Sequence, residues 1–308
     1  MNFPKLTRAQ LERRLTPPTG MVRMVLDTDT FNEIDDQFAV AYALLSPERL
    51  KVEAIYAAPF SSYDGKIGPE RGMEESYQEI LRLLERLKIP HQGMALRGST
   101  TYLTGRDAAE RSPAAVDLIE RALTATEDEP LYVAAIGAIT NVASAVLLEP
   151  EIIRRIVVVW LGGNPVECPK PHEFNLEQDL RASQLIFDCG LPLVHIPCLG
   201  VASHLLTTRA ELDENIRGRN AVSDFLYQRF TAYSDDHFGW AKEIWDIAAI
   251  GWLLNESWVP SQLIPSPVLT DNLTYQTPPD RHPIRAAWYL NRNPIFQDMF
   301  RKLQGVVD

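Results

Sequence analysis

Four aspartates lie within ten residues of one another, directly after an apolar run, in the stretch 25-VLDTDTFNEIDDQFAV-40. They are Asp27, Asp29, Asp35 and Asp36. Like charges repel, so the cluster needs a compensating interaction. Carboxylates at the end of a strand and at the start of the next helix can converge on one hard cation, and oxygen ligands select Ca²⁺ or Mg²⁺ over Zn²⁺. The simpler alternative is that these aspartates only cap a helix and shape a turn.

Alternating strands and helices form the framework that must position this cluster. Residues 21–27 predict the first strand, and short apolar runs predict further strands at residues 50–58, 131–136, 156–161 and 192–196. Apolar residues at helical spacing predict helices between them, including residues 35–45, 69–87, 112–125 and 179–189. This order predicts an α/β fold in which a mostly parallel open sheet carries helices on both faces.

The chain shows no internal repeat and no low-complexity linker, so we expect one domain over residues 1–308. Within it, residues 1–20 are interpreted as an N-terminal extension. The Pro-rich stretch 259–283 is interpreted as a long surface connection.

Two further polar segments follow predicted strands. Gly137 to Asn141 comes after the strand at 131–136, and Gly162 to Asn164 comes after the strand at 156–161. Ligands of such sheets bind beyond the carboxyl ends of the strands. Both segments are therefore expected on the same rim as the aspartates.

The composition excludes several classes of partner and site. A net charge of -11 argues against general nucleic-acid binding. The apolar runs are too short to span a membrane, and the charged N-terminus lacks the apolar core of a signal peptide. Cys168, Cys189 and Cys198 fit neither a disulfide framework nor a zinc site. We therefore expect a soluble cytoplasmic protein.

The aspartate loop resembles the loops of two enzyme families. In LDTDT, Asp27, Asp29 and Thr30 come close to the nucleophile loop of the haloacid-dehalogenase-type phosphotransferases, with the Thr one place early. In DTDTFNEIDD, two alternate aspartates followed by an Asp-Asp pair are similar to the loop of the inosine–uridine-type nucleoside hydrolases. In this chain five residues, Thr30 to Ile34, separate the second aspartate from the pair, and the corresponding loop of that family is shorter.

Segments further along the chain favour the nucleoside hydrolase family. The segment 137-GAITNVASAVLLEPEI-152 resembles its Thr-Asn helix start, and 160-WLGGN-164 resembles its Gly-Gly segment. Further on, 173-EFNLEQD-179 resembles its sugar-holding Glu-Phe-Asn stretch, and 243-EIWDIAAIG-251 resembles its late metal-ligand segment. A phosphotransferase would also need a Lys motif and a late acidic strand end, and the sequence contains no convincing pair of these.

The resemblance implies a role for each matching residue. It implies a Ca²⁺ site made by three carboxylates and one main-chain carbonyl: Asp29, Asp36, Asp246 and Ile136. It implies sugar binding by four further residues: Asp35, Asn164, Glu173 and Asn175. Hydrolysis of an N-glycosidic bond passes through an oxocarbenium-like sugar that water attacks, and a carboxylate base assists that water. Asp29, next to metal and water, is the candidate base.

Trp245 stands where the pyrimidine-accepting branch of the family carries a His before the last metal aspartate. The resemblance implies that purine-preferring members carry a Trp there and activate the base by stacking. An indole ring can favour protonation of a stacked purine by a cation–π effect of roughly 1–2 kcal/mol. Core packing is the alternative role for Trp245.

The leading hypothesis is Ca²⁺-dependent hydrolysis of a ribonucleoside, with purines slightly favoured. Two alternatives remain at this point: an N-glycosidase of a modified or non-nucleoside riboside, and a non-catalytic relative that binds a sugar or nucleoside. The longer Thr30–Ile34 loop motivates the first of them. The resemblance also implies a homo-oligomer, either a dimer or a tetramer.

Overall fold

The computed structural model describes residues 3–105, 107–168 and 172–307. Its strands are β1 Val22–Thr28, β2 Leu50–Ala57, β3 Ala95–Arg97, β4 Leu131–Ala135, β5 Ile156–Leu161, β6 Leu193–Ile196, β7 Leu206–Thr207, β8 Lys242–Glu243, β9 Ser261–Pro265, β10 Val268–Leu269, β11 Tyr275–Gln276 and β12 Pro283–Ala287.

The α-helices are α1 Arg8–Arg14, α2 Asp36–Leu44, α3 Pro69–Arg86, α4 Pro113–Thr124, α5 Thr140–Leu148, α6 Phe174–Gln178, α7 Leu180–Asp188, α8 Arg209–Asn215, α9 Ala221–Ala232, α10 Ile247–Leu254 and α11 Arg292–Gln304. Short 3₁₀ helices lie at Pro150–Arg154, Ala202–His204 and Glu256–Trp258.

The main sheet has eight strands in the order β3-β2-β1-β4-β5-β6-β12-β9. Every neighbouring pair is parallel except β12 and β9, which pair antiparallel. The predicted α/β fold with a mostly parallel sheet is therefore confirmed. In this order, β1, β4, β5 and β6 lie side by side in the centre, so the segments that follow them meet at one rim.

Alternation along the strands divides the core into two layers. In β5, Val157 and Val159 pack with one apolar cluster, whereas Val158 and Trp160 pack with the other. The first layer lies under α2, α3, α9, α10 and α11, and the second under α4, α5 and α7. Strands buried on both faces in this way are the reason for the continuous apolar run IVVVWL.

Local signals account for several helix starts. The Ser112 side chain accepts a hydrogen bond from the backbone N–H of Ala115 at 3.1 Å, and Pro113 occupies the first helical position of α4. The Asp179 side chain caps α7 in the same way through Ala182. Both helices begin one residue after the starts predicted from the sequence, residues 112 and 179.

One interpretation of the sequence needs revision. The Pro-rich stretch 259–283 is not only a surface connection, because it contains β9, which extends the main sheet beside β12, and the small β10–β11 ribbon. Proline tolerates an edge position because one side of an edge strand makes no ladder hydrogen bonds. The N-terminal extension contains α1, whose Leu11 is buried in the first core layer together with Leu15.

Among the described residues, none of the helices combines the length and the apolar character that crossing a membrane requires.

Candidate active site

A pocket opens at the carboxyl rim of the sheet, and four aspartates predicted as site residues line it. Asp29 follows β1, Asp35 and Asp36 begin α2, and Asp246 immediately precedes α10. All four are at most 4% exposed. Two sequence segments more than 200 residues apart thus deliver carboxylates to one place.

A close group within the pocket consists of Asp35, Asp36 and Asp246, with one carboxylate oxygen of each lying within 4.8 Å of the others. Asp29 lines the same pocket but lies outside this close group. Its Oδ2 atom is buried and has no hydrogen-bond partner. The sequence predicted that the metal set would be Asp29, Asp36 and Asp246, with Asp35 on the sugar, so Asp35 lies closer to the other two than that prediction required.

Helix capping does not explain these carboxylates. Asp35 and Asp246 occupy the N-cap positions of α2 and α10, yet neither side chain accepts a capping hydrogen bond. Asp36 instead accepts a hydrogen bond from Thr28 Oγ1, the last residue of β1, at 2.5 Å. The side chains are therefore available to the pocket rather than used by their own helices.

Burial and mutual repulsion disfavour the charged forms of the cluster. Burial, followed by the charges of neighbouring carboxylates, raises the pKa of Asp29, Asp36 and Asp246 well above the ordinary value for Asp. Burial and Glu33 likewise raise the pKa of Asp35 to about 7, although Lys242 opposes the change. Without a counter-ion, the cluster holds protons that ordinary aspartates have lost.

The cluster fits a hard divalent cation. Its side-chain donors are all carboxylate oxygens, and in the part of the chain that the structure describes no lysine, arginine or histidine forms an ion pair with any of the four aspartates. Four buried carboxylates without a basic partner are costly unless protons or a cation compensate them. Oxygen-only sites of this kind suit Ca²⁺ or Mg²⁺.

Strand ends next to the cluster are tied together by Asn175. Its Nδ2 donates to the backbone carbonyls of Ile136, at 3.2 Å, and Leu161, at 3.0 Å. Ile136 directly follows β4 and lines the pocket, as does Asn175. The predicted main-chain ligand and one predicted sugar-binding residue are thus in contact with each other.

Glu173 lines the pocket, but its carboxylate also organises the loop that leads into α6. Its two oxygens accept hydrogen bonds from the backbone N–H groups of Gly163 at 2.5 Å, Asn175 at 3.0 Å and Leu176 at 3.0 Å. Burial raises the pKa of Glu173, and these three bonds and the Cys198 thiol oppose the change. A fixed carboxylate results at the wall of the pocket.

Asn164 does not line the pocket, unlike the other predicted sugar-binding residues. Its side chain donates to the backbone carbonyl of His172 at 2.8 Å and accepts from the backbone N–H of Leu199 at 3.0 Å. In this structure, Asn164 therefore connects two rim loops.

Trp245 lines the pocket and is half-buried, so core packing alone does not describe it. Lys242 Nζ lies 5.8 Å from the centroid of its indole ring and 2.6 Å from Glu33 Oε2. Burial lowers the pKa of Lys242, but Asp35 and Glu33 outweigh it, and the pKa ends above its ordinary value. No histidine among the described residues lines the pocket.

Comparison with known proteins agrees with this geometry. The family model described as inosine-uridine preferring nucleoside hydrolase matches residues 24–287. The chain belongs to this nucleoside hydrolase family. It is therefore an enzyme that hydrolyses N-glycosyl compounds, with ribonucleosides as substrates, and the phosphotransferase and non-catalytic alternatives are set aside.

Curated relatives cover most of this nucleoside hydrolase. A pyrimidine-specific ribonucleoside hydrolase RihA from Klebsiella pneumoniae is 29% identical over 75% of this chain and 79% of the relative. A non-specific ribonucleoside hydrolase RihC from Shigella flexneri is 27% identical over 76% of this chain and 80% of the relative. A solved inosine-guanosine nucleoside hydrolase has a TM-score of 0.74 at 15% identity, over 92% of this chain and 99% of that chain, which shows the shared fold.

Several pocket residues of this nucleoside hydrolase were not predicted from the sequence. They are Asn32, Glu33, Leu161, Phe174 and Cys198. Cys198 follows β6, so the rule that ligands meet the carboxyl ends of strands could have found it. Asn32 and Glu33 belong to the longer loop after Asp29, and the extra length of that loop was the available signal.

We predict that the chelator-treated nucleoside hydrolase loses stability as pH rises from about 5.5 to 8. The folded-state pKa values of Asp27 and Asp35, about 7, exceed the ordinary 3.8 of the unfolded chain, so the folded state binds more protons in this window. That contribution is complete at low pH and is lost as pH rises through the folded-state values. The melting temperature, measured by scanning calorimetry, should fall by about 5 °C or more.

Asp246→Asn is the matched control, because it removes one charge from the cluster and should make the fall smaller. Added Ca²⁺ should raise the melting temperature of the original protein, and most strongly at pH 8. A melting temperature that is constant or rises across this range in chelator would contradict the prediction.

Proposed function

We propose that this enzyme hydrolyses the N-glycosidic bond of ribonucleosides in a Ca²⁺-dependent reaction that releases the free base and ribose. The observation that carries the proposal is the buried group of Asp35, Asp36 and Asp246, which lines a rim pocket and has no basic ion-pair partner among the described residues. A hard cation is the simplest compensation for that charge.

Asp29, Asp36, Asp246 and the main-chain carbonyl of Ile136 would hold the Ca²⁺. Support comes from their shared position in one pocket and from the unpartnered Oδ2 of Asp29. When bound, Ca²⁺ supplies positive charge that compensates the carboxylates and polarises a water molecule.

The side chains of the enzyme would divide the remaining work. Asp29 takes a proton from the attacking water, whose oxygen bonds to the anomeric carbon of the ribose while the bond to the base nitrogen breaks. The electrons of that bond leave with the base, which takes up a proton from solvent. Asp35, Glu173 and Asn175 bind the sugar and fix its orientation, which can lower the barrier by several kcal/mol. Asn164 connects the rim loop at His172, next to Glu173, to the rim loop at Leu199.

Trp245 would stack on the leaving base and give purines a modest advantage. The support is its half-buried ring in the pocket wall, next to Asp246 in sequence. A stacked indole favours the more electron-poor, protonated form of a purine by roughly 1–2 kcal/mol. The two curated relatives are described as pyrimidine-specific and non-specific, so the base preference of this enzyme needs its own measurement.

A modified ribonucleoside is a second candidate substrate. The observation that favours it is the longer loop after Asp29, which supplies Asn32 and Glu33 to the pocket wall. Both are polar and could recognise a substituent on the base.

The proposal predicts ribose release from a panel of purine and pyrimidine ribonucleosides, loss of release in chelator and recovery with added Ca²⁺. Asp29→Asn and Asp246→Asn should each lower kcat/KM by about a hundredfold or more, because each removes a charged contact at the reacting centre. A reducing-sugar assay and Ca²⁺ titration calorimetry measure the two effects.

Asp128→Asn is the matched control, since Asp128 has a side chain that is 86% exposed and precedes β4, whereas the pocket lies beyond the other end of that strand. It should retain the original rate. Full activity in chelator, or full activity of both pocket variants, would refute the proposal.

The stacking role of Trp245 predicts a selective defect in Trp245→Ala. Release from inosine should fall by about tenfold, whereas release from a riboside with a nitrophenyl leaving group, which departs without protonation, should fall less. Steady-state kcat values for the two substrates give the comparison. Equal losses on both substrates would argue against stacking as the means of leaving-group activation.

A further inference from the structure

Glu33 belongs to the loop between Asp29 and Asp35 and lines the pocket with a side chain that is 35% exposed. The backbone of this loop is anchored from within the protein. Asn32 N–H donates to the carbonyl of Asp29 at 2.8 Å, and the buried Gln37 side chain donates to the carbonyl of Thr30 at 2.6 Å. Glu33 therefore projects from a fixed support.

Lys242 fixes one of the two carboxylate oxygens of Glu33. Its Nζ donates to Glu33 Oε2 at 2.6 Å, and the lysine side chain is only 11% exposed. The same Nζ lies 5.4 Å from the ring of Tyr233 and 5.8 Å from that of Trp245. A largely buried ion pair next to two aromatic rings restricts the Glu33 side chain more than an exposed pair would.

The second oxygen, Glu33 Oε1, accepts no hydrogen bond from any described residue. A carboxylate oxygen has two lone pairs and accepts only. The fixed pair thus presents an acceptor on the wall of the pocket, on the side where Trp245 also lies.

We propose that Glu33 determines base specificity by accepting a hydrogen bond from an N–H group on the edge of the base that faces away from the sugar. This inference rests on the proposed nucleoside hydrolase function and names the chemistry of the preferred base. An N–H donor at that edge gains a charge-assisted bond, whereas a base without one leaves Glu33 Oε1 without a hydrogen bond.

Asn32, the other polar residue contributed by the loop to the pocket, does not provide the same discrimination. Its side-chain amide carries both a donor and an acceptor and can turn to suit either kind of base edge. Glu33, when ionised, can accept but not donate. The selective element of the loop is therefore the carboxylate that Lys242 holds in place.

Two pairs of ribonucleosides test the inference, since the members of each pair differ by one amino group. They are adenosine with purine riboside, and cytidine with pyrimidin-2-one riboside. For the full-length Ca²⁺-loaded enzyme, Glu33→Met should lower kcat/KM on the amino-bearing member by about tenfold more than on its partner. Glu33→Gln keeps an acceptor oxygen and should show a smaller difference.

Glu85→Met, at an exposed position of α3, is the matched control and should change no ratio. A Glu33→Met enzyme that loses the same factor on both members of each pair would overturn the inference, because Glu33 would then only support the loop. An unmodified enzyme that releases ribose from inosine but from none of these four compounds would also overturn the inference. If it releases ribose from no ribonucleoside of the panel, the proposed function fails instead, so the two failures are distinct.

Discussion

The structure depends on one electrostatic constraint: buried carboxylates converge at the rim of a parallel sheet, and no basic side chain of the described residues forms an ion pair with them. Asp29, Asp36 and Asp246 come from three separate elements, and burial and repulsion raise the pKa of each. Such an arrangement is stable only if protons or a cation compensate the charge. A bound cation would compensate this charge and would also polarise the water molecule that attacks the sugar.

The surrounding structure holds these carboxylates in place through buried contacts. Asn141, at the start of α5, donates to Asp27 Oδ1 at 2.8 Å and so ties the end of β1 to the neighbouring helix. A Cβ atom at Gly137 would lie 2.7 Å from Asp29 Oδ1, so the backbone after β4 can approach Asp29 only because it carries a glycine there. Such contacts fix the part of the pocket that is built from strand ends.

Much of this arrangement could be predicted from the sequence, because strand and helix periodicity fixes which residues follow each strand. The apolar run of β5 predicted the sheet, and the aspartates after β1 predicted the position of the site at its rim. Asp246 was predicted only from the resemblance to the nucleoside hydrolase family. Residues whose roles depend on three-dimensional neighbours were harder to predict. The Asn164 amide forms hydrogen bonds with the backbone of two loops. Packing holds α1 and strand pairing holds β9, and neither contact can be predicted from a short or Pro-rich segment alone.

The most direct test of the central claim is calorimetric titration of Ca²⁺ into the chelator-treated enzyme at pH 6.5, in buffers of different ionisation enthalpy. The buffer dependence of the heat counts the protons that binding releases. We expect one Ca²⁺ per chain and the release of protons, because the raised pKa values leave the free cluster partly protonated. Absence of Ca²⁺ binding, or binding without proton release, would contradict a buried carboxylate cluster that holds a cation.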